Sequence, residues 1–148
     1  MIFAPVLVEG ALQVPGQRTL RPAIIFNMPT RCEPQILVVE DDDANREFLR
    51  ALLESEGFLV ATACDGREAL IWLNNHGSPD LVLLDLEMPR MSGWEFLEAA
   101  DRAARLAGTR IMMLTGRAQH LQILDWVSKP APPEMLVERI RHHISTAS

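Results

Sequence analysis

The segment Asp80–Pro89, with the sequence DLVLLDLEMP, decides the fold because it joins a wholly apolar run to an acid and a turn. Its four consecutive apolar residues, 81–84, do not alternate with polar ones, which is typical of a strand buried on both faces of a parallel sheet. Asp85 follows this run directly. Open α/β sheets bind ligands at the carboxyl edge, so the pattern predicts a functional carboxylate at Asp85. The plainer alternative is a solvated loop aspartate behind a core strand.

The composition is that of one compact domain with an apolar core. The chain has 148 residues, of which 48% are hydrophobic, and a net charge of −6. It has no block of basic residues, which argues against a nucleic-acid surface, and no apolar run of membrane-spanning length. We therefore expect a cytoplasmic protein that contacts neither nucleic acid nor membrane.

From residue 35 onward, apolar strands alternate with amphipathic helices. We predict an α/β fold with a doubly wound, five-stranded parallel sheet, a flavodoxin-like three-layer sandwich. The predicted strands are 36–39, 58–62, 81–84, 110–114 and 123–127, and the longer helices cover about 44–55, 66–75, 94–106 and a last segment opened by Pro132-Pro133. Phe48, Leu49, Leu52 and Leu53 share one face of the first helix and are predicted to be buried. Residues 1–34 hold half of the ten prolines, so we divide the chain into a proline-rich extension of unknown role (1–34) and the domain (35–148).

Polar residues follow the apolar run in four of the five predicted strands. Glu40 and Asp41 follow the first strand, Asp85 the third, Thr115 the fourth and Lys129 the fifth. Because parallel strands end at one edge of the sheet, we expect these side chains to lie together. Clustered carboxylates either raise the pKa of one of them or recruit a hard cation, and oxygen ligands suit Mg²⁺ or Mn²⁺ better than zinc. A divalent cation, a lysine and a hydroxyl around one aspartate predict a site for a phosphoryl group on that aspartate.

Four motifs in this order resemble the receiver domain of two-component response regulators, the CheY-like domain. They are Val39-Glu40-Asp41, Leu84–Gly93, Leu114-Thr115-Gly116 and Ser128-Lys129-Pro130. The resemblance covers about residue 35 to the C-terminus and implies a stand-alone receiver in phosphorelay signalling. It also implies that the protein is not an enzyme, apart from catalysing its own phosphorylation and dephosphorylation.

The resemblance implies a role for each acid and for the lysine. Asp85 would be the phosphoacceptor, and Lys129 would pair with the phosphoryl oxygens. Mg²⁺ or Mn²⁺ would be held by Asp41, Asp85 and the backbone carbonyl of Glu87, with Glu40 helping mostly through water. The bond between Lys129 and Pro130 is expected to be cis.

The resemblance further implies a conformational switch and a set of partners. Thr115 would swing toward the phosphoryl group while Trp126 changes its burial, and Glu87 and Arg117 occupy positions that tune the lifetime of the aspartyl phosphate. The donor would be a sensor histidine kinase or a histidine phosphotransfer protein. The output would be contact with a downstream protein target, and a homodimer remains open.

One departure from the family pattern concerns the fourth helix. Only the residues from Gly116 to Ser128 separate Thr115 from Lys129, roughly two helical turns fewer than in a typical receiver. We therefore expect the fourth helix to be a single turn around Ala118–Leu121, or absent. This change leaves the phosphorylation chemistry in place and alters the face that receivers use for output.

Two other functions stay open at this point. The first is an interaction module that keeps the receiver fold without regulation by phosphate, which the altered fourth helix favours. The second is a Mg²⁺-dependent phosphatase of the haloacid dehalogenase kind with an aspartyl nucleophile. That class requires a second aspartate where this chain has Glu87.

Overall fold

The computed structural model of the chain describes residues 33–116 and 125–146. Within these residues there are five strands and four helices. The strands are β1 (Gln35–Val39), β2 (Leu59–Ala63), β3 (Leu81–Asp85), β4 (Arg110–Thr115) and β5 (Asp125–Ser128), and the helices are α1 (Asp43–Ser55), α2 (Gly66–His76), α3 (Gly93–Arg102) and α4 (Pro133–Ser145). None of these helices has the length and apolar content that a membrane span requires.

The strands form one parallel sheet with the order β2-β1-β3-β4-β5. This order confirms the predicted doubly wound, flavodoxin-like fold. The central strand, β3, is buried along its whole length, as its unbroken apolar run predicts. After β2 the chain crosses back over β1, and β3 adds to the other side of β1. The carboxyl ends of β1 and β3 therefore lie side by side at one edge of the sheet.

Alternate strand residues enter two separate apolar clusters, one on each face of the sheet. Ile36 and Val38 of β1 pack with Leu49 and Leu53 of α1 and with residues of α4. Leu37 and Val39 pack with residues of α2 and α3, including Phe96. The central strands of a sheet that is covered on both faces carry apolar side chains at successive positions. This explains why β1 and β3 read as continuous apolar runs.

Three of the helices begin at a side-chain cap immediately after a strand or loop. Asp42, Asp65 and Ser92 accept hydrogen bonds from the backbone of Asn45, Glu68 and Glu95, respectively. Such caps satisfy backbone donors that the first helical turn leaves free. Each cap therefore sets where its helix starts relative to the carboxyl edge of the sheet.

The prediction that α3 extends to residue 106 is wrong, because the helix ends at Arg102. Ala104 adopts a left-handed conformation with φ 51°. The amide of Arg105 donates to the carbonyl of Ala100 and that of Ala104 to Asp101. This is the Schellman ending, in which glycine is the usual left-handed residue. An alanine at that position gave no signal in the sequence.

The prediction that Phe48 belongs to the buried face of α1 is also wrong. Its side chain is 53% exposed, whereas Leu49 and Leu53 of the same helix are buried. The apolar stripe of α1 is therefore narrower than the spacing of its large residues indicates. Phe48 lies at the edge of that stripe and borders a pocket at the carboxyl edge of the sheet.

We predict that alanine substitutions at Leu53 and Phe48 differ strongly in their effect on stability. Leu53 is fully buried, and Leu53→Ala should lower the free energy of unfolding by about 2–5 kcal/mol because it leaves a cavity. Phe48→Ala should change it by less than about 1 kcal/mol, as for a surface substitution. Urea denaturation followed by circular dichroism measures both values. Equal losses in the two variants would contradict the observed orientation of α1.

Several predictions lie wholly or partly outside the described residues. These are the fourth helix around Ala118–Leu121, the first two residues of the predicted fifth strand, Arg117, and all but the end of the extension over 1–34.

Candidate functional site

The carboxyl edge of the sheet brings together the side chains that the sequence predicts there. Glu40 follows β1, Asp85 is the last residue of β3, and Thr115 is the last residue of β4. All three are buried, with 1%, 5% and 2% of their surface exposed. Lys129 follows β5, and its backbone amide donates to the carbonyl of Thr115 at 3.0 Å. These side chains therefore form a polar site at the carboxyl ends of strands whose other residues are mostly apolar.

Three acids at this edge converge in a way that suits a divalent cation. One carboxylate oxygen from each of Glu40, Asp41 and Asp85 lies within 4.8 Å of the others. Opposite oxygens of an octahedral Mg²⁺ site are roughly 4.2 Å apart, given metal–oxygen distances of about 2.1 Å. The three acids supply oxygen atoms only, and hard cations prefer oxygen. The residues present therefore fit Mg²⁺ or Mn²⁺.

Lys129 balances part of the negative charge of this cluster. Its Nζ atom lies 2.6 Å from Oε2 of Glu40 and 3.2 Å from Oδ2 of Asp85. Burial raises the pKa of the Glu40 carboxyl, and the charge of Asp85 adds to this, while the hydrogen bond from Lys129 opposes it. Burial by itself would lower the pKa of Lys129, but its contacts with Glu40 and Asp85 outweigh that effect and raise it. The ammonium group therefore stays charged next to Asp85.

The loop after β3 is held tightly against Asp85. The backbone amide of Glu87 donates to Oδ1 of Asp85 at 3.1 Å. The amide of Gly93 donates to the carbonyl of Leu86 at 3.2 Å. A Cβ atom at Gly93 would lie only 2.6 Å from the backbone oxygen of Asp85. The close approach requires glycine at the start of α3 and fixes the position of Asp85.

The predicted switch residues lie on neighbouring strands. Thr115 pairs in register with Ser128 at the ends of β4 and β5, and Met113 pairs with Trp126. Trp126 is partly buried, and its carbonyl accepts a hydrogen bond from Arg139 of α4 at 2.9 Å. The bond between Lys129 and Pro130 is cis, which confirms that expectation. The bond from Arg139 therefore links the backbone of β5, next to the site, to α4.

Sequence reasoning missed two arginine contacts around the site. Arg46 of α1 donates to the backbone carbonyls of Glu40 and Asp41. Arg90, in the loop after β3, has a positive φ of 68° and lies 2.8 Å from Oδ2 of the buried Asp65. The sequence offers no polar residue directly after β2, yet Asp65, two residues beyond that strand, anchors this loop. Arginines that bond to a backbone or to a distant turn have no signature in a sequence pattern.

Comparison with protein-family models agrees with this geometry. The model described as the response regulator receiver domain matches residues 36–141, which is well over half of the chain. The match includes every described strand except the first residue of β1, and all of the candidate site residues.

Curated relatives include two bacterial regulators that are 38% identical to this chain. The DNA-binding response regulator MtrA of Mycolicibacterium smegmatis matches over 117 residues, covering 72% of this chain and 49% of its own length. The transcriptional regulatory protein CpxR of Escherichia coli K12 matches over 115 residues, covering 72% and 47%. The chain thus spans about half the length of these relatives.

Solved structures with the same fold include two receiver proteins. The chemotaxis protein CheY4 of Vibrio cholerae has a TM-score of 0.69 and 30% identity, and the match covers 74% of this chain and 98% of CheY4. The response regulator TrrA of Thermotoga maritima, solved in complex with Mg²⁺-BeF, has a TM-score of 0.65 and 32% identity, with coverage of 74% and 98%.

Proposed function

The chain belongs to the response regulator receiver domains, which are signalling domains, and we propose that it accepts one phosphoryl group on Asp85 in a reaction that needs Mg²⁺ or Mn²⁺. The observation that carries this proposal is the position of the Asp85 carboxylate. It is buried at the end of β3, 3.2 Å from the Lys129 ammonium, and shares a cluster with two further acids. The receiver domain is assigned to residues 35–148 and the extension to 1–34.

The proposed donor is a phosphohistidine on a sensor histidine kinase or a histidine phosphotransfer protein. A carboxylate oxygen of Asp85 attacks the phosphorus, the phosphorus–nitrogen bond of the donor breaks, and its electron pair returns to the imidazole. The product is an acyl phosphate on Asp85 and a free histidine. Hydrolysis of this acyl phosphate by water regenerates the carboxylate and releases inorganic phosphate.

Each chain residue in the site has a part in this transfer. Asp41, Asp85 and the Glu87 carbonyl would hold the cation directly, and Glu40 mostly through water. TrrA, solved in complex with Mg²⁺-BeF, supports Mg²⁺ as the cation. When bound, the cation would neutralise negative charge on the oxygens of the phosphoryl group that is transferred. Lys129 exchanges its contact with Asp85 for one with the phosphoryl oxygens. The amide of Glu87 keeps Asp85 oriented during attack.

Phosphorylation would be transmitted through the ends of β4 and β5. A phosphoryl group adds close to two negative charges and three acceptor oxygens. The Thr115 hydroxyl would move toward these oxygens, and Trp126 would change its burial in response. The face altered in this way would contact a downstream protein. Glu87 and Arg117 would set the lifetime of the acyl phosphate.

The surroundings of the site favour a protein donor. A pocket of about 340 Å³ borders the site and is lined by Glu40 and Lys129 together with Phe48. The exposed aromatic ring of Phe48 next to the charged site offers an apolar contact to a partner that presents a phosphohistidine. The proposal places this exchange in the cytoplasm, where kinases have access to ATP. It invokes neither nucleic acid nor membrane, and a homodimer is compatible with it.

The test is the intact mass of the chain after incubation with acetyl phosphate and Mg²⁺. We expect an adduct of one phosphoryl group, and no adduct when EDTA removes the cation, since the acids then repel the incoming phosphate. A calorimetric Mg²⁺ titration of the same sample measures cation binding separately. Absence of both the adduct and Mg²⁺ binding would contradict the proposal. An adduct that forms equally in EDTA would contradict the role of the cation.

A further inference from the structure

Arg46 lies in the first turn of α1 and reaches back over the turn that joins β1 to α1. Its Nη1 atom donates to the backbone carbonyl of Glu40 at 2.9 Å and, more weakly, to that of Asp41 at 3.5 Å. Its Nη2 atom pairs with the carboxylate of Asp43. Only 20% of the side chain is exposed. The guanidinium group is therefore part of the packed turn rather than a solvated surface charge.

The two carbonyls that Arg46 contacts belong to acids of the proposed cation site. In the same turn, the amide of Asp42 donates to Oε1 of Glu40 at 3.2 Å, and the amide of Asn45 donates to Oδ1 of Asp42 at 2.8 Å. Those two bonds fix backbone N–H groups of the turn, whereas the bonds from Arg46 fix its backbone carbonyl groups. Fixing the carbonyls fixes the peptide planes, and these planes set the direction in which the Glu40 and Asp41 side chains leave the backbone.

We propose that Arg46 is a positioning residue for the divalent cation. By holding the carbonyls of Glu40 and Asp41, it directs both carboxylates toward the point where they meet Asp85. This inference rests on the proposed function, because it requires that these acids bind the cation. Groups that orient metal ligands without touching the metal commonly control affinity.

The charge of Arg46 by itself predicts the opposite result. A guanidinium group near a cation site repels the incoming cation, so its removal would strengthen binding if charge were its only effect. If Arg46 positions the ligands, its removal weakens binding. The sign of the change in affinity therefore separates the two roles.

Arg50 provides a matched control on the same helix. It lies one turn further along α1, its side chain is 44% exposed, and it pairs with Glu47. The substitutions Arg46→Met and Arg50→Met remove the same charge and add the same side chain. Only the first removes contacts with the β1–α1 turn.

The experiment is a calorimetric Mg²⁺ titration of the full chain as wild type, Arg46→Met, Arg46→Lys and Arg50→Met. We expect Arg46→Met to weaken Mg²⁺ binding by about tenfold, as for other groups that orient metal ligands. Arg46→Lys keeps the charge but lacks the planar guanidinium group, whose fixed donors reach both carbonyls. This substitution should therefore also weaken Mg²⁺ binding. Arg50→Met should stay within about twofold of wild type, because an exposed charge is screened by salt.

Thermal unfolding in EDTA separates positioning from a purely structural role. A structural role alone would lower the unfolding temperature without changing the Mg²⁺ dissociation constant of the folded protein. The inference is overturned if Arg46→Met binds Mg²⁺ as tightly as wild type or more tightly, or if Arg50→Met loses as much affinity. If Arg46→Met does not fold, an unchanged affinity in Arg46→Lys overturns it. A wild type that binds no Mg²⁺ overturns the proposed cation site together with this inference.

Discussion

Replacing Asp85 with asparagine is expected to abolish phosphoryl uptake and leave the domain folded. The amide of asparagine has nearly the same size as the carboxylate but is not a nucleophile, so no acyl phosphate forms. Its carbonyl oxygen still accepts the hydrogen bond that the Glu87 amide gives to Asp85. Lys129 keeps its 2.6 Å contact with Glu40. The loss is therefore one of chemistry, and intact-mass measurement with acetyl phosphate and Mg²⁺ should show no adduct.

Asp80 is the matched control for this substitution. It directly precedes β3, at the opposite end of the strand from Asp85. Oδ2 of its carboxylate accepts a hydrogen bond from the amide of Gln35 at 2.7 Å. Asp80→Asn makes the same chemical change far from the site and should take up phosphate as the wild type does. An adduct that persists in Asp85→Asn would place the acceptor on another residue. Loss of the far-ultraviolet circular dichroism in Asp85→Asn would instead show a role in folding.

Gly93→Ala is expected to lower the free energy of unfolding by about 1–3 kcal/mol or more, as for overpacking of a close contact. The added Cβ atom would lie 2.6 Å from the backbone oxygen of Asp85 and 3.0 Å from the Cα atom of Leu86. Both contacts are with backbone, which cannot rotate away as a side chain does. Relief requires α3 or the end of β3 to shift, and either movement displaces the phosphoacceptor. We therefore expect slower phosphoryl uptake as well.

Gly116→Ala is the control for this effect. A Cβ atom at Gly116 meets no atom within 4 Å among the described residues. Its backbone φ is also outside the left-handed region that favours glycine. Alanine there should leave stability unchanged or raise it by up to about 1 kcal/mol, because it restricts the unfolded chain. Denaturant unfolding of the two variants gives the comparison, and a Gly93→Ala protein as stable as Gly116→Ala would contradict the close contact.

The fold was predictable because its central strands are buried on both faces. Such strands carry unbroken apolar runs, as in Leu81–Leu84, where every residue is buried. The site was predictable for a related reason. Each of its side chains ends a strand or directly follows one, so the parallel topology alone brings Glu40, Asp85 and Thr115 to one edge.

Of two details that sequence reasoning missed, one depends on contacts between distant segments and the other on the conformation of a single residue. Phe48 fits the apolar spacing of α1, but whether it is covered depends on how α4 and the loop after β5 pack nearby. The end of α3 depends on Ala104, which adopts the left-handed conformation. Alanine does not favour that conformation, so its presence in the sequence does not indicate a helix end.

By itself, the sequence determined the order of strands and helices, the carboxyl edge of the sheet and the set of acids that gather there. These follow from local patterns, since the period of apolar residues sets each element and the polar residues at four of the strand ends set the site. Only the tertiary structure decided the contacts of Lys129 with Glu40 and Asp85, the hold of Arg46 on the β1–α1 turn and the tight fit of Gly93 under Asp85. Those contacts join residues from different elements. Their distances are set by how the strands and helices are arranged around one another, which no local pattern encodes.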